Sequence, residues 1–308
     1  MQINISDIWS KSVEDTHKAY LNSLMSKELV YRNPLMARLL LCHGDQLAVS
    51  RPSMLRDIVK DMEFHKKKTC KTLQDEFDDL CEKLFDYGKF STKSTKDWSA
   101  YKLCLSSSYR MCPYCQQSLA ITIYKDLKSK SLRPTLDHFY PKSEYPYLAL
   151  SLYNLIPSCH TCNSSLKGTE NFYRNEHLHP YEDSEVIFYD FDIYSYIAHR
   201  ELALISPVPQ VKVKKPPSTH VLYAKAKRSI ETFLAEERLA ISEQEINRFI
   251  EALLSYSQGR LDEVNRTIFS GSNWTLTPET ALNFSRANYK NEWLGAIKRD
   301  LYDLSWDD

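Results

Sequence analysis

Glycine is scarce in this chain, six in 308 residues, and no Gly-x-x-x-x-Gly-Lys-[Ser/Thr] run occurs, so the sequence carries no phosphate-cradling loop for a nucleoside triphosphate. Long apolar runs are missing too. The longest, Leu35 to Cys42, is interrupted by Arg38 and is far shorter than the roughly 20 residues that span a bilayer. The first residues, Met1-Gln-Ile-Asn-Ile-Ser, form neither a basic nor an apolar targeting region, and together these absences predict a cytoplasmic protein with no membrane segment. Net charge is absent as well: forty basic and forty acidic residues cancel, so no overall field draws the molecule to nucleic acid. Internal repeats and low-complexity tracts are not found.

What is present is enough apolar material, 43% of residues against 26% charged, to bury one large core or two modest ones. Residues 1–105 read as a helical region for partner docking or substrate binding. There Val13, His17, Tyr20, Leu21, Leu24 and Met25 recur at helical spacing after Ser12, an N-cap candidate with Asp15 three residues on. A second helix is predicted near 70–87 from the stripe Leu73, Phe77, Leu80, Cys81 and Leu84. This puts Cys81 in the core and turns Asp75, Glu76, Asp78 and Asp79 to solvent or a partner. Over 106–195 the pattern changes to short β-leaning runs, Leu119 to Tyr124, Thr135 to Tyr140 and Val186 to Tyr189, with prolines between them. Residues 196–220, containing Pro207-Val-Pro209 and Lys212-Val-Lys214-Lys215-Pro216-Pro217, read as a linker. Helices resume over 221–308. Leu222, Ala226, Ile230, Phe233 and Leu234 form one stripe, and the capping box Ser242-x-x-Glu245 opens another along Ile246, Phe249, Ile250, Leu253 and Leu254. The fold class is therefore α+β, mainly α, with helical ends around a central core.

Chemistry concentrates in that core. Two Cys-x-x-Cys pairs, Cys112/Cys115 and Cys159/Cys162, match the four thiolates of a closed tetrahedral zinc site. The other four cysteines, Cys42, Cys70, Cys81 and Cys104, are scattered, which favours a metal in a reducing compartment over a disulfide framework. Between the pairs stands Asp137-His138, leaving a short extended run; Asn154 comes sixteen residues after His138, Asn163 directly after Cys162, and Lys167 four further on. From Arg110 to Glu170 seven basic residues face four acidic ones, a modest positive bias around the motif. The order strand, loop, strand, knuckle, helix reads as a ββα unit.

The segments Leu136-Asp-His-Phe-Tyr-Pro-Lys, Asn154-Leu-Ile-Pro-Ser-Cys-His-Thr-Cys-Asn163 and Lys167-Gly168 resemble an HNH (His-Me finger) endonuclease of the zinc-supported kind, over about 60 residues from Cys112 to Glu170. The resemblance implies Asp137 and Asn163 as ligands of a catalytic divalent cation, His138 as general base and Asn154 as the residue that orients it. It further implies Cys112, Cys115, Cys159 and Cys162 on structural zinc, with Lys142 and Lys167 as contacts to substrate. The last motif position is Asn where many members have His, which implies Mg²⁺ or Mn²⁺ as the catalytic ion. Glu176-His177-Leu178-His179-Pro180-Tyr181 is similar to a sequence that packs the end of the finger in one HNH subgroup. The phrase Asp-His-Phe-Tyr-Pro-Lys-Ser with helical arms is similar to nuclease subunits of Septu-type bacterial antiphage systems, some carried by retrons. That likeness implies a nucleic-acid substrate, DNA ahead of RNA such as tRNA, and a separate ATPase partner in a hetero-oligomer.

The residues support this chemistry without the name. Phosphodiester hydrolysis needs an activated water and a cation for the charge on the phosphoryl oxygens. A neutral imidazole near its ordinary pKa can take the water's proton, and a carboxylate with an amide oxygen suits a hard ion that keeps several waters. The competing expectation is a zinc-stabilised nucleic-acid- or protein-binding module without catalysis. His160, inside the second knuckle, is expected at the surface, and Tyr140, Tyr145, Tyr147 and Tyr153 in the core.

Overall fold

The computed structural model describes residues 2–94, 96–202 and 211–306. Thirteen α-helices among the described residues carry the architecture, with two small antiparallel sheets of two strands each, so the chain is α+β and mainly α. Contacts divide it into two compact units, residues 4–112 with 119–184, and residues 185–308 with 1–3 and 113–118.

The first unit begins with α1 (Lys11–Leu24), α2 (Pro34–His43), α3 (Pro52–Lys67) and α4 (Lys71–Leu84). Local chemistry sets the start of α2. The Asn33 side-chain oxygen accepts from the Leu35 and Met36 amides at 2.9 and 3.4 Å, and Pro34 fills the first helical position, where its missing N–H costs nothing. Helix α1 starts at Lys11 after Ser10, so Ser12, expected as the cap, lies inside the first turn. Apolar faces meet through Leu35, Met36 and Leu39 of α2, Leu55, Ile58, Val59 and Met62 of α3, and Phe77 and Cys81 of α4, all buried. The acidic face of α4 is only partly solvated, since Asp78 receives Lys66 of α3 at 2.7 Å. Two shorter helices, α5 (Tyr87–Phe90) and α6 (Ala100–Leu105), lead into the finger. Phe77 packs against Tyr147 with ring centroids 6.0 Å apart, joining α4 to the turn Pro146–Leu148. Burial of one such aromatic ring stabilises by about 1.5–3 kcal/mol, so this contact is a firm mount for that turn.

The finger itself is a pair of strands, β1 (Thr135–His138) and β2 (Leu155–Ser158), antiparallel with Asp137 opposite Ile156 and His138 opposite Leu155. Beyond β2 the chain does not enter the α-helix expected for a ββα unit: Thr161–Lys167 is a π-helical turn. It closes with the Gly168 amide donating to the Asn163 carbonyl at 3.0 Å, and Gly168 sits at φ 54°, a backbone state that a side chain would strain. The run Leu119 to Tyr124 contributes only isolated bridges, Met111 to Leu119 and Ile123 to Leu132, because no full ladder partner lies beside it among the described residues.

In the second unit β3 (Phe188–Asp190) pairs with β4 (Lys212–Lys214), so part of the expected linker is a strand. Residues 196–202 of that expected linker lie in a helix, and Pro207 to Pro209 fall outside the described residues. Between the strands in sequence is α7 (Ile193–Leu202). Helices α8 (Tyr223–Thr232), α9 (Ala235–Ile241), α10 (Glu243–Ser255), α11 (Gln258–Thr267), α12 (Pro278–Leu282) and α13 (Gly295–Trp306) complete the unit. Ser242 does precede α10, but its hydroxyl accepts from Gln117 Nε2 at 2.6 Å instead of capping the helix. Gln116 is tied in by three bonds: its carbonyl accepts from Leu294 N, and its side chain bridges Tyr289 O and Ala296 N.

Candidate active site and metal centre

The four cysteines of the two pairs are buried, and their sulfurs all lie within 4.8 Å of one another. Zinc–sulfur bonds of about 2.3 Å in a tetrahedron put sulfurs roughly 3.8 Å apart, so the donor set and spacing fit one shared zinc ion. Each knuckle has a backbone amide on a sulfur: Gln117 N to Cys115 Sγ at 3.5 Å and Cys162 N to Cys159 Sγ at 3.4 Å. Such bonds favour the thiolate form that binds metal. Positive φ at Gln116 turns the chain back after the first pair. His160 is exposed, as expected.

Adjacent residues on a strand point to opposite sides, and β1 uses this to separate Asp137 from His138. Asp137 is 2% exposed. Its Oδ1 receives the Lys167 ammonium at 2.5 Å, and the same ammonium also bonds the His138 carbonyl. Lys167, expected to meet substrate, is thus turned inward and 4% exposed, with the ring of Phe172 4.9 Å away. The π-turn explains this: an i→i+5 bond widens the coil and carries Lys167 toward β1 instead of out to solvent. Asn163, on the same turn, is half-buried and spends its backbone on Cys159 O and Gly168 N.

His138 is half-buried. Its Nε2 lies 2.9 Å from the Ala149 carbonyl, and a carbonyl can only accept, so the neutral ring carries its proton on Nε2 and has a lone pair on Nδ1. Burial drives its pKa down to about 3; the Ala149 carbonyl opposes this shift, and the charges of Lys167 and Lys142 add to it. The ring is therefore neutral at pH 7, but a weaker base than the near-ordinary imidazole expected from sequence. Tyr87 stands edge-on to it with centroids 4.5 Å apart.

Asn154 uses its whole amide on backbone. Oδ1 accepts from Tyr140 N at 2.7 Å, while Nδ2 donates to Tyr140 O at 3.1 Å and Leu148 O at 3.0 Å. These bonds grip the chain two residues after His138 and the turn one residue before Ala149. The end of the finger is sealed by imidazoles: His177 stacks on Phe172 at 3.8 Å and His179 leans on Phe139 at 3.9 Å. The four tyrosines of the loop are buried as expected.

Tyr87 and Ala149, both in contact with the imidazole, line a cavity of ≈ 270 Å³ together with Asp86, Lys142, Ser143 and Pro146 among others; His138 itself does not line it. Lys142 is exposed there. Tyr87 carries no sequence signal of this role, since Asp86-Tyr87-Gly88 comes after α4 with no local sign of a partner fifty residues on; only the three-dimensional packing reveals it.

No protein-family profile matches this chain, and no solved structure matches it. Two curated proteins are similar over part of it. Protein ea31 of Escherichia phage lambda is 29% identical over 116 residues, 37% of this chain and 35% of that protein. Septu protein PtuB of Bacillus thuringiensis is 35% identical over 80 residues, 26% of this chain and 28% of that protein. The chain thus spans about a third of the length of the curated relatives it matches; it is distantly similar to a Septu protein, and its own four-cysteine cluster fits zinc.

Proposed function

We propose that the chain is an HNH-type endonuclease that hydrolyses phosphodiester bonds, DNA ahead of RNA, and acts as the nuclease of a bacterial antiphage system under a separate ATPase. One observation carries the reading. His138 is held neutral, with Nε2 committed to a carbonyl and Nδ1 lacking a protein partner among the described residues, and two residues that touch it, Tyr87 and Ala149, line a cavity together with Lys142. An imidazole so placed can take a proton from water at Nδ1, and a substrate phosphate brought in by Lys142 supplies the negative charge that raises its pKa toward the working range. Asn154 keeps the strand end and the 148–149 turn in register during this transfer.

Asp137 and Asn163 supply one carboxylate and one amide oxygen, donors of the type that Mg²⁺ or Mn²⁺ takes. Either ion, when bound, would neutralise charge on the phosphoryl oxygens. Zinc would be structural. The four cysteines leave no open position for a water. The distant likeness to Septu protein PtuB supports the defence setting and the expectation of partner subunits.

A second reading, a zinc-stabilised binding module, draws on the Lys167–Asp137 pair, which already neutralises the carboxylate. Cleavage of plasmid, single-stranded DNA and total tRNA, with Mg²⁺ and Mn²⁺ tested separately and any copurifying subunit retained, decides between them. Cleavage by wild type that His138→Ala loses supports the nuclease. Equal cleavage by both proteins, or nucleic-acid binding with no cleavage in the presence of the partner, supports the module.

A further inference from the structure

Three consecutive carbonyls of the turn after Pro146 are each bonded by a side chain from a different part of the first unit. Leu148 O accepts from Asn154 Nδ2 at 3.0 Å, Ala149 O from His138 Nε2 at 2.9 Å, and Leu150 O from His17 Nε2 at 2.7 Å. His17 belongs to α1 and is fully buried. Its ring is specified at both nitrogens: Trp98 Nε1–H donates to Nδ1 at 3.0 Å, an indole can only donate, and Nε2 faces a carbonyl that can only accept. Only the neutral ring with its proton on Nε2 satisfies both partners. Phe90 stands edge-on at 5.8 Å and fixes the ring plane.

We propose that His17 is a positioning residue for His138, holding the Leu150 carbonyl so that the neighbouring Ala149 carbonyl stays aimed at Nε2 and the Nδ1 lone pair stays available. The backbone has two soft dihedrals per residue, so one carbonyl can swing only if its neighbours move or counter-rotate. Asn154 pins the peptide before the one that carries the Ala149 carbonyl, and His17 pins the peptide after it. With the Leu150 bond gone, the Ala149 peptide can rotate and the imidazole of His138 samples both neutral tautomers. The N-terminal helix thereby becomes part of what positions the proposed base. Burial lowers the His17 pKa to about 4, so this support persists across neutral pH.

This inference takes His138 as the base from the preceding reading, and its test has an arm that needs no cleavage. Nitrogen-15 ring spectra of the zinc-loaded full chain near pH 7.5 report each histidine's tautomer. Wild type is expected to show His138 protonated on Nε2. His17→Phe, which removes the donor at similar volume, is expected to give a mixed His138 tautomer, and His17→Gln, which keeps an N–H donor, to restore most of the wild-type pattern. His17→Leu, which removes the donor with a smaller apolar side chain, reads the same effect should His17→Phe fail to fold. In cleavage assays kcat is expected to fall about tenfold in His17→Phe with KM unchanged, as for other supporting side chains behind a functional histidine. An unaltered His138 tautomer in folded His17→Phe, or in folded His17→Leu if the former does not fold, overturns the proposal. Altered spectra with no cleavage by wild type in the presence of its partner would sink the nuclease reading alone.

Discussion

Replacing Lys167 by Met removes the ammonium from a pair whose two side chains are 3% and 2% exposed, leaving the Asp137 carboxylate buried without its cation. At the surface such a pair would be worth well under about 1 kcal/mol, but removing one member of a buried pair costs about 3–5 kcal/mol because the remaining charge stays desolvated. That is a large share of the roughly 5–15 kcal/mol by which a domain is stable. Asp137→Asn is expected to cost a similar amount by stranding the lysine. The double variant Asp137→Asn with Lys167→Met buries no ion and is expected to be more stable than the sum of the single losses by about 2 kcal/mol or more. Urea unfolding in zinc-containing buffer measures all four proteins. Single losses below about 1 kcal/mol that add without coupling would refute the buried pair. The Lys167→Met variant also reports on the catalytic ion: if a divalent cation takes up the freed carboxylate, Mg²⁺ at a hundredfold excess over its dissociation constant restores about 2.7 kcal/mol, and no such gain is expected from Na⁺ at equal ionic strength.

Acid should destabilise the protein through His17. Its folded pKa of about 4 lies below the unfolded 6.5, so the unfolded state binds more protons in that window and stability falls as pH drops through it; wild type should lose about 2 kcal/mol more than His17→Gln between pH 7.5 and 5 in denaturant titrations at fixed zinc. His138→Ala should lower cleavage by about 10²–10⁴-fold, with an unchanged circular dichroism melt separating lost chemistry from lost fold. Stripping zinc with a chelator, or Cys115→Ser, should abolish cooperative melting, because ligation in small zinc sites contributes on the order of 10 kcal/mol of folding free energy. A chelated protein that melts as before would mean the four thiols hold no ion.

Where sequence is informative, the signal is local. Two Cys-x-x-Cys pairs can be read because each knuckle is built by four neighbouring residues, and the strand at 135–138 shows as a short β-leaning run. Helices α4 and α10 show through their apolar period. What stays hidden depends on partners distant in sequence. Lys167 reads as a substrate contact because nothing near it indicates that a π-turn carries its amine to Asp137, thirty residues earlier. His17 reads as one more residue on a helical stripe; its bond to Leu150 spans 133 positions. Ser242 does stand before α10, yet Gln117 claims its hydroxyl. Lys212–Lys214, flanked by prolines, looks like linker because a three-residue strand has too few positions to display alternation.

The widened coil at Thr161–Lys167 has a bearing on where this chain can change length. An ordinary α-helix advances about 100° per residue, so a side chain five positions after Cys162 would face well away from it; the looser winding takes up one extra residue and still delivers the lysine to the strand. Loss of Ser164 or Ser165, both exposed, would tighten the coil to a regular one with the amine close to its present bearing. Insertions and deletions usually accumulate in loops. Here a helix beside the proposed reaction centre would be the more forgiving place, and homologues differing by one residue between the last cysteine and the lysine would keep the same inward contact.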